Sequence, residues 1–368
     1  MVRIRNTTET INRRPRPEGG FTMEILWFCL VAFMLTMYVI FDGFDLGAGA
    51  IHLFVAKNDN ERRQVVNTIG PVWDGNEVWL IAAGGTLYFA FPALYASSFS
   101  GFYLPLMMMS WLLILRGIAI EFRNHLNSKV WVPFWDVTFA IASTLLAVFL
   151  GAALGNVVRG VPLDGDGRFF EPLWTTFQPF GQTGVLDWYT ITVGVTALCA
   201  LALHGSLWVV LKTEGLVHAR TQRATRIAWW AALFATGMIT VFTLRLQPLI
   251  LANLGARPWG LIFPVAAVVG LIGIWLFQAR GDDLKAFLSS CAYLFGMMTS
   301  AAFGVYPYVL PSSIDAQSGM TLYDAAAAPY GLKVGLVWWT IGMALVAVYF
   351  VFVYRRFSGK VTGEEVGY

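Results

Sequence analysis

Residues 23–55 read MEILWFCLVAFMLTMYVIFDGFDLGAGAIHLFV. Between Glu24 and Asp42 no charged residue interrupts this run. A bilayer core is spanned by about 20 apolar residues in helical form. A helix is the form required, because hydrocarbon offers no partner for an open backbone group. The run lacks the short alternating segments of a membrane barrel. It therefore reads as a membrane-spanning helix whose distal third carries carboxylates.

Working outward, eight further apolar segments follow, at about 66–95, 98–122, 133–157, 185–211, 227–248, 258–279, 284–306 and 333–354. The expected fold is an all-α polytopic membrane protein of about nine spanning helices, a single membrane domain over 23–357. Composition agrees. The 368 residues are 57% hydrophobic and 13% charged, against about 25% charged in soluble domains. That excludes an ordinary cytosolic enzyme and a disordered chain. The net charge of +3 gives no reason to expect nucleic acid. Cys29, Cys199 and Cys291 lie apart in apolar runs with no CxxC or CxxCH spacing, so they read as buried thiols acting as small apolar residues.

Residues 1–22 differ: Arg3, Arg5, Arg13, Arg14 and Arg16 alternate with Pro and Gly in a basic tail. Met23 directly precedes the first apolar run, and translation is expected to start there. Residues 358–368 form a polar C-terminal tail. Cytoplasmic loops of membrane proteins collect Lys and Arg. One set of loops holds Lys57, Arg62, Arg63, Arg123, Lys129, Arg220 and Arg223, and the C-terminal end adds Arg355, Arg356 and Lys360. The opposite set holds Arg159, Arg168, Arg245, Arg257 and Lys333. The C-terminus is thus expected in the cytoplasm, and nine spans place the N-terminus outside.

Ionisable residues inside a membrane are costly and point to function. Asp42 and Asp45 stand three residues apart, on one helical face. In Trp73-Asp74-Gly75-Asn76-Glu77 the carboxylates of Asp74 and Glu77 have the same spacing. Arg116, Glu121 and Arg123 close the third segment on the same side. In one reading these are ion pairs, with Arg116 and Glu121 as charge partners. In the other, the carboxylates form a hydrophilic entry for protons, because partial burial lets a carboxylate bind and release a proton near neutral pH. A cation site or substrate site has the same spacing. His204 is the only histidine deep in a segment; a packing hydrogen bond is the simplest role for it. Trp73 and Trp79 flank the carboxylates, as interface anchors or as the border of a flat apolar ligand.

The run Asp42-Gly43-Phe44-Asp45-Leu46-Gly47, then Asn58-Asp59-Asn60-Glu61-Arg62-Arg63, Trp73-Asp74-Gly75-Asn76-Glu77-Val78-Trp79 and Phe99-Ser100-Gly101-Phe102-Tyr103, resembles subunit II of cytochrome bd ubiquinol oxidase. Gly155-Asn156, Gly160-Val161-Pro162, Lys212-Thr213 and Pro307-Tyr308-Val309 extend the resemblance over about 23–357, and short later loops resemble the cyanide-insensitive branch. The resemblance implies a heterodimer in the bacterial inner membrane. Subunit I carries three haems and the quinol site, electrons from quinol reduce O2 to water, and the protons consumed come from the cytoplasm without pumping. It implies that this chain ligates no haem or metal, and is inactive when isolated. It can hold a structural quinone near Trp73 and Asn76, and a small accessory subunit is a further partner. Asp74 is the residue it favours for proton conduction, followed by Asp42, Asp45 and Glu77. The alternatives are a proton-coupled secondary transporter, which predicts broken helices meeting at the midplane, and a purely structural membrane subunit.

Overall fold

The computed structural model describes residues 21–361; residues 1–20, which hold all five arginines of the N-terminal tail, and residues 362–368 lie outside the described residues. Thirteen α-helices account for most of the described chain. They are α1 (Met23–Val55), α2 (Asp59–Asn67), α3 (Trp73–Ala90), α4 (Pro92–Gly101), α5 (Tyr103–Phe122), α6 (Trp131–Arg159), α7 (Trp188–Lys212), α8 (Gly215–Leu246), α9 (Pro248–Ala256), α10 (Ile262–Ala279), α11 (Asp283–Val305), α12 (Leu322–Ala325) and α13 (Pro329–Arg356). Eight helices, counting α10 with the 3-10 turn before it, are long and apolar enough to cross a membrane. Taken together as one broken span, the pair α3 and α4, bent by 119° between them, makes a ninth. The fold is an all-α polytopic membrane protein.

Local sequence explains the boundaries. Thr22 caps α1 by accepting from the Ile25 amide. Asn58 caps α2 by accepting from the Glu61 amide at 2.9 Å, and Asp187 makes a reciprocal capping box with Thr190 on α7. Such caps satisfy amides that the helix itself cannot. Gly160, at φ +94°, ends α6 in a conformation that favours glycine.

Several elements differ from the expected segments. The apolar run 66–95 is interrupted twice. Residues 59–67 form a separate amphipathic helix that buries Val65 and Val66. The span proper begins at Trp73, and Pro92 turns the chain because it has no amide to continue the ladder. The loop before the last helix contains a hairpin, β1 (Tyr308–Leu310) paired antiparallel with β2 (Met320–Thr321). Cys29 is exposed and the other two thiols are half-buried, rather than fully buried as expected.

The first helix, α1, is the hub, packed against α3, α6, α7 and α11. At 33 residues it is about 50 Å long, more than the roughly 30 Å hydrocarbon core, so its ends emerge. Its closest neighbour is α7. Gly47 and Gly205 face each other so tightly that a Cβ at Gly47 would collide with the Leu201 carbonyl oxygen. Small residues permit this backbone-to-backbone approach. One end of the bundle gathers α2 and the segments 56–58, 123–130, 213–214 and 357–361. The other gathers α4, the loop 160–187, the hairpin and α12, where the Val161 and Ser313 amides bond across to the carbonyls of Pro311 and Val161. Of α13, only Leu332 is buried.

Candidate functional site

A polar stripe runs along α1. Tyr38, Asp42, Asp45, Gly49 and His52 recur at intervals of four, three, four and three residues, which is one helical face, and all five are buried. The neighbouring helices answer it residue by residue. Arg116 of α5 donates from Nη1 to Asp42 Oδ1 at 2.7 Å and from Nη2 to Glu77 Oε2 at 3.0 Å. Asn76 of α3 donates from Nδ2 to Asp45 Oδ2 at 2.8 Å. Tyr354 of α13 donates to Asn76 Oδ1 at 2.9 Å. Four helices thus meet in one hydrogen-bonded cluster.

The charges explain why this can exist in an apolar bundle. Asp42 and Arg116 both have side chains with 0% exposure. Either one alone would be an uncompensated buried charge, which costs several kcal/mol. Glu77, 21% exposed, brings the edge of the cluster to the protein surface. Four polar atoms inside have no protein partner: Tyr38 Oη, Asp42 Oδ2, Asp45 Oδ1 and Arg116 Nε. Buried polar atoms are rarely left unpaired, and water is the ordinary partner in a polar interior.

The structure brings Asp42, Asp45, Asn76, Glu77 and Arg116 together and leaves two expected residues outside. Asp74 is exposed, on the same outward face as Val78 and Ile81. Three residues turn a helix by 300°, so Asp74 and Glu77 differ by about 60° in direction, and the boundary of burial falls between them. Glu121 is exposed and pairs with no cation among the described residues; its carbonyl accepts from His125 Nδ1 at 3.0 Å. Five residues along α5 it points about 140° away from Arg116, whose partners are instead Asp42 and Glu77. The ring of Trp73 packs against Gly117 of α5. The break between α3 and α4 lies about 20 Å along the helix from Glu77, so the broken helix does not meet the carboxylates.

A second network closes the α2 end. Asp136 of α6, with 0% side-chain exposure, accepts from Arg123 Nε at 2.7 Å and lies 3.2 Å from Arg62 Nη1. Arg123 also reaches Asp59 at 2.6 Å. His52 Nε2 stands 3.7 Å from Asp136 Oδ1. Arg220 clamps Glu61 with bonds of 2.6 and 3.1 Å, and these hydrogen bonds hold the Glu61 carboxyl below its ordinary pKa. Sequence reading missed this network, Tyr38 and Tyr354. Its signal was Asp136, a lone acid at the start of an apolar segment, together with His52 on the Asp42 stripe.

A third cluster lies at the opposite end. Arg159 pairs with Asp187 and, at 2.8 Å, with Glu171 of the 160–187 loop. Burial pushes the Glu171 carboxyl up to about 7, helped by the negative charge of Asp187 and opposed by Arg159. A carboxyl whose folded pKa is raised stabilises the fold fully below its unfolded value of 4.5, and this stability is lost as pH rises through about 7. The loop is therefore expected to be held more tightly at pH 5 than at pH 8. Glu171→Gln should abolish that pH dependence, read as hydrogen exchange of loop amides. An unchanged pH dependence in the variant would contradict the assignment.

His204 uses both ring nitrogens within the bundle, one on Ser290 Oγ at 2.7 Å and one on the Ile40 carbonyl at 2.8 Å, and stacks on Phe287. With both nitrogens engaged it does not fit a haem iron. Among the described residues no three His, Cys, Asp or Glu side chains converge as a metal site.

A family model described as cytochrome bd terminal oxidase subunit II matches residues 23–357. The chain is 28% identical over 381 residues to cytochrome bd-I ubiquinol oxidase subunit 2 of Escherichia coli (strain K12), covering 94% of this chain and 96% of that one. It is 28% identical over 315 residues to cytochrome bd ubiquinol oxidase subunit 2 of Bacillus subtilis (strain 168), covering 85% and 89%. The solved structure of bd oxidase from Geobacillus thermodenitrificans is similar in fold, with a TM-score of 0.73 at 15% identity, over 92% of this chain and 99% of that one.

Proposed function

Because the chain belongs to the cytochrome bd terminal oxidase subunit II family, we propose that it is the non-haem subunit of a quinol:O2 oxidoreductase in the bacterial inner membrane, and that its carboxylate cluster helps deliver cytoplasmic protons for the reduction of O2 to water. The observation that carries this reading is the buried Asp42–Arg116–Glu77 bridge beside Asp45, which reaches the surface at Glu77.

The partner is subunit I, whose haems supply the electron transfer from quinol to O2. The residues of this chain handle protons. Asp74 stands on a lateral face of the bundle with no cation beside it among the described residues. A bare carboxylate facing lipid is costly, so this face suits the protein partner or a wet crevice between subunits. A proton taken up at Asp74 is one helical turn from Glu77. Arg116 bridges Glu77 to Asp42, and Asn76 holds Asp45 in place beside them. The fixed positive charge of Arg116 keeps the cluster from accumulating uncompensated negative charge while a proton passes. We assign the α2 end and the C-terminus to the cytoplasm and the N-terminus to the outside, a reading that the Lys and Arg excess at the α2 end supports.

The test is Asp74→Asn in the assembled complex. It should retain full haem content and lose at least about tenfold in quinol-dependent O2 uptake, as removal of a proton-transferring group does elsewhere. Full turnover in a normally assembled Asp74→Asn complex would contradict this role for Asp74.

A further inference from the structure

Between Glu171 and Asp187 the chain has no charged residue, yet it holds Trp174, Phe177 and Phe180. These three rings are 59%, 42% and 67% exposed. The loop that carries them is built firmly. The amides of Val185 and Leu186 donate to the carbonyls of Pro172 and Leu173, each at 3.0 Å, so residues 172–186 form an Ω-loop with a closed neck. Arg159 pairs with Glu171 and Asp187, the two charges that bracket the loop. Val185 and Leu186 are buried in a small core with Ala152 of α6, and Leu173 packs against it. The three exposed rings take no part in that core. Phe177 and Phe180 have φ of +55° and +58°, a region that is strained for a bulky side chain. Burial within the chain does not offset that strain, because neither ring is buried.

The surroundings say what covers the rings. Phe180 packs on Trp188 of α7 with ring centroids 5.1 Å apart, and Trp188 on Phe242 of α8 at 5.4 Å. The loop therefore continues the outer surface of two spans at the point where they end. On that surface Phe234 and Val241 of α8 are exposed, as lipid-facing residues are. Asp74 lies elsewhere, on α3, which packs on α1, whereas α8 packs chiefly on α7. Aromatic rings collect where spans leave the hydrocarbon, and the neutral Thr175, Thr176, Gln178 and Gln182 among them suit hydrogen bonding to headgroups. The first half of the same connection is the opposite in character. There Asp164, Asp166 and Arg168 are exposed, in a tight turn where Asp164 Oδ1 accepts from the Asp166 and Arg168 amides, and such charges belong in water. An open loop cannot enter hydrocarbon, where its backbone groups would go unpaired, so headgroup depth is where this one fits.

We infer that the Ω-loop 172–186 is an interfacial membrane anchor. Trp174, Phe177 and Phe180 insert among the phospholipid headgroups of the leaflet at the end of the bundle away from α2, and they hold the ends of α6 and α7 at that level. An uncharged loop needs no anionic lipid, so a zwitterionic bilayer suffices. The anchor is independent of which residues carry protons.

The experiment uses the wild-type assembled complex in phosphatidylcholine nanodiscs. Part of the lipid carries a diazirine near the carbonyl end of its acyl chain; light-induced adducts are mapped by mass spectrometry, and a parallel sample is oxidised with hydroxyl radicals. Adducts are expected at Trp174, Phe177 and Phe180 and not at residues 164–168, with the three rings shielded from oxidation. Val241, about 7.5 Å along α8 from Leu246, is the internal standard showing that the probe reaches this depth. Rings that are oxidised and carry no lipid stand in water, which would overturn the anchor. Rings that neither reagent reaches are covered by protein, which would overturn it equally. Phe177→Gly combined with Phe180→Gly keeps the backbone path, since glycine adopts positive φ freely, and removes two of the rings. It should lose most of the adducts at Trp174 while haem content and O2 uptake stay as in wild type. Undiminished adducts at Trp174 would mean that the rings do not hold the loop in the leaflet.

Discussion

Arg116→Leu is expected to destabilise the folded chain by about 3–5 kcal/mol, the cost of leaving a buried charge without its partner. Asp42, fully buried, loses its only ion-pair partner among the described residues, and Glu77 loses its own. The measurement is the thermal midpoint and haem yield of the detergent-solubilised complex, and both should fall sharply. Arg116→Lys should fall less, because a single ammonium keeps the charge and cannot reproduce the forked contact to two carboxylates. The combination Arg116→Leu with Asp42→Leu should recover much of the stability, since the fully buried orphan charge is gone and only the partly exposed Glu77 is left without its partner. The same double variant should remain slow in turnover. Equal stability of Arg116→Leu and wild type would mean that Asp42 is not charged in the folded protein.

A large loss is also expected from Gly47→Ala. The added methyl would meet the Leu201 carbonyl oxygen and lie 2.8 Å from Gly205 Cα. Both are backbone atoms and neither can rotate away. Overpacking of this kind costs about 1–3 kcal/mol and occasionally more. Here it would also push α1 away from α7 and shift the polar stripe against Asn76, Arg116 and Ser143. Thermal stability and turnover should therefore fall together. Gly84→Ala on α3 is the control, because nothing lies within 4 Å of a methyl there; it should be neutral in the isolated chain's stability.

Which parts of this were legible in the sequence follows from the reach of each signal. Apolar runs of bilayer length marked the spans, because hydrocarbon permits few alternatives to a helix. Asp42 and Asp45 were legible as one face, because both sit within a continuous helix and three residues is a local spacing. The direction of Asp74 was not. Which side of α3 is buried depends on the packing of α1 and α5, set by contacts far away in sequence. Glu121 failed for the related reason that proximity in sequence to Arg116 says nothing about facing direction when the offset is five. The bend at Phe91 had a visible signal in Pro92, masked by the apolar residues on both sides of it. His52 and Asp136 are 84 positions apart, and only the bundle brings them together at 3.7 Å. Arg159, Glu171 and Asp187 converge through a loop whose path no periodicity encodes.

The central claim, that this chain works as the non-haem subunit of a quinol oxidase, is tested most directly by purifying it, tagged, from its native membranes and recording a reduced-minus-oxidised spectrum alongside quinol-dependent O2 uptake. The account predicts that a haem-bearing partner co-purifies, with b- and d-type bands and O2 consumption. A chain that comes away alone, colourless and inactive, from membranes that themselves oxidise quinol would contradict it.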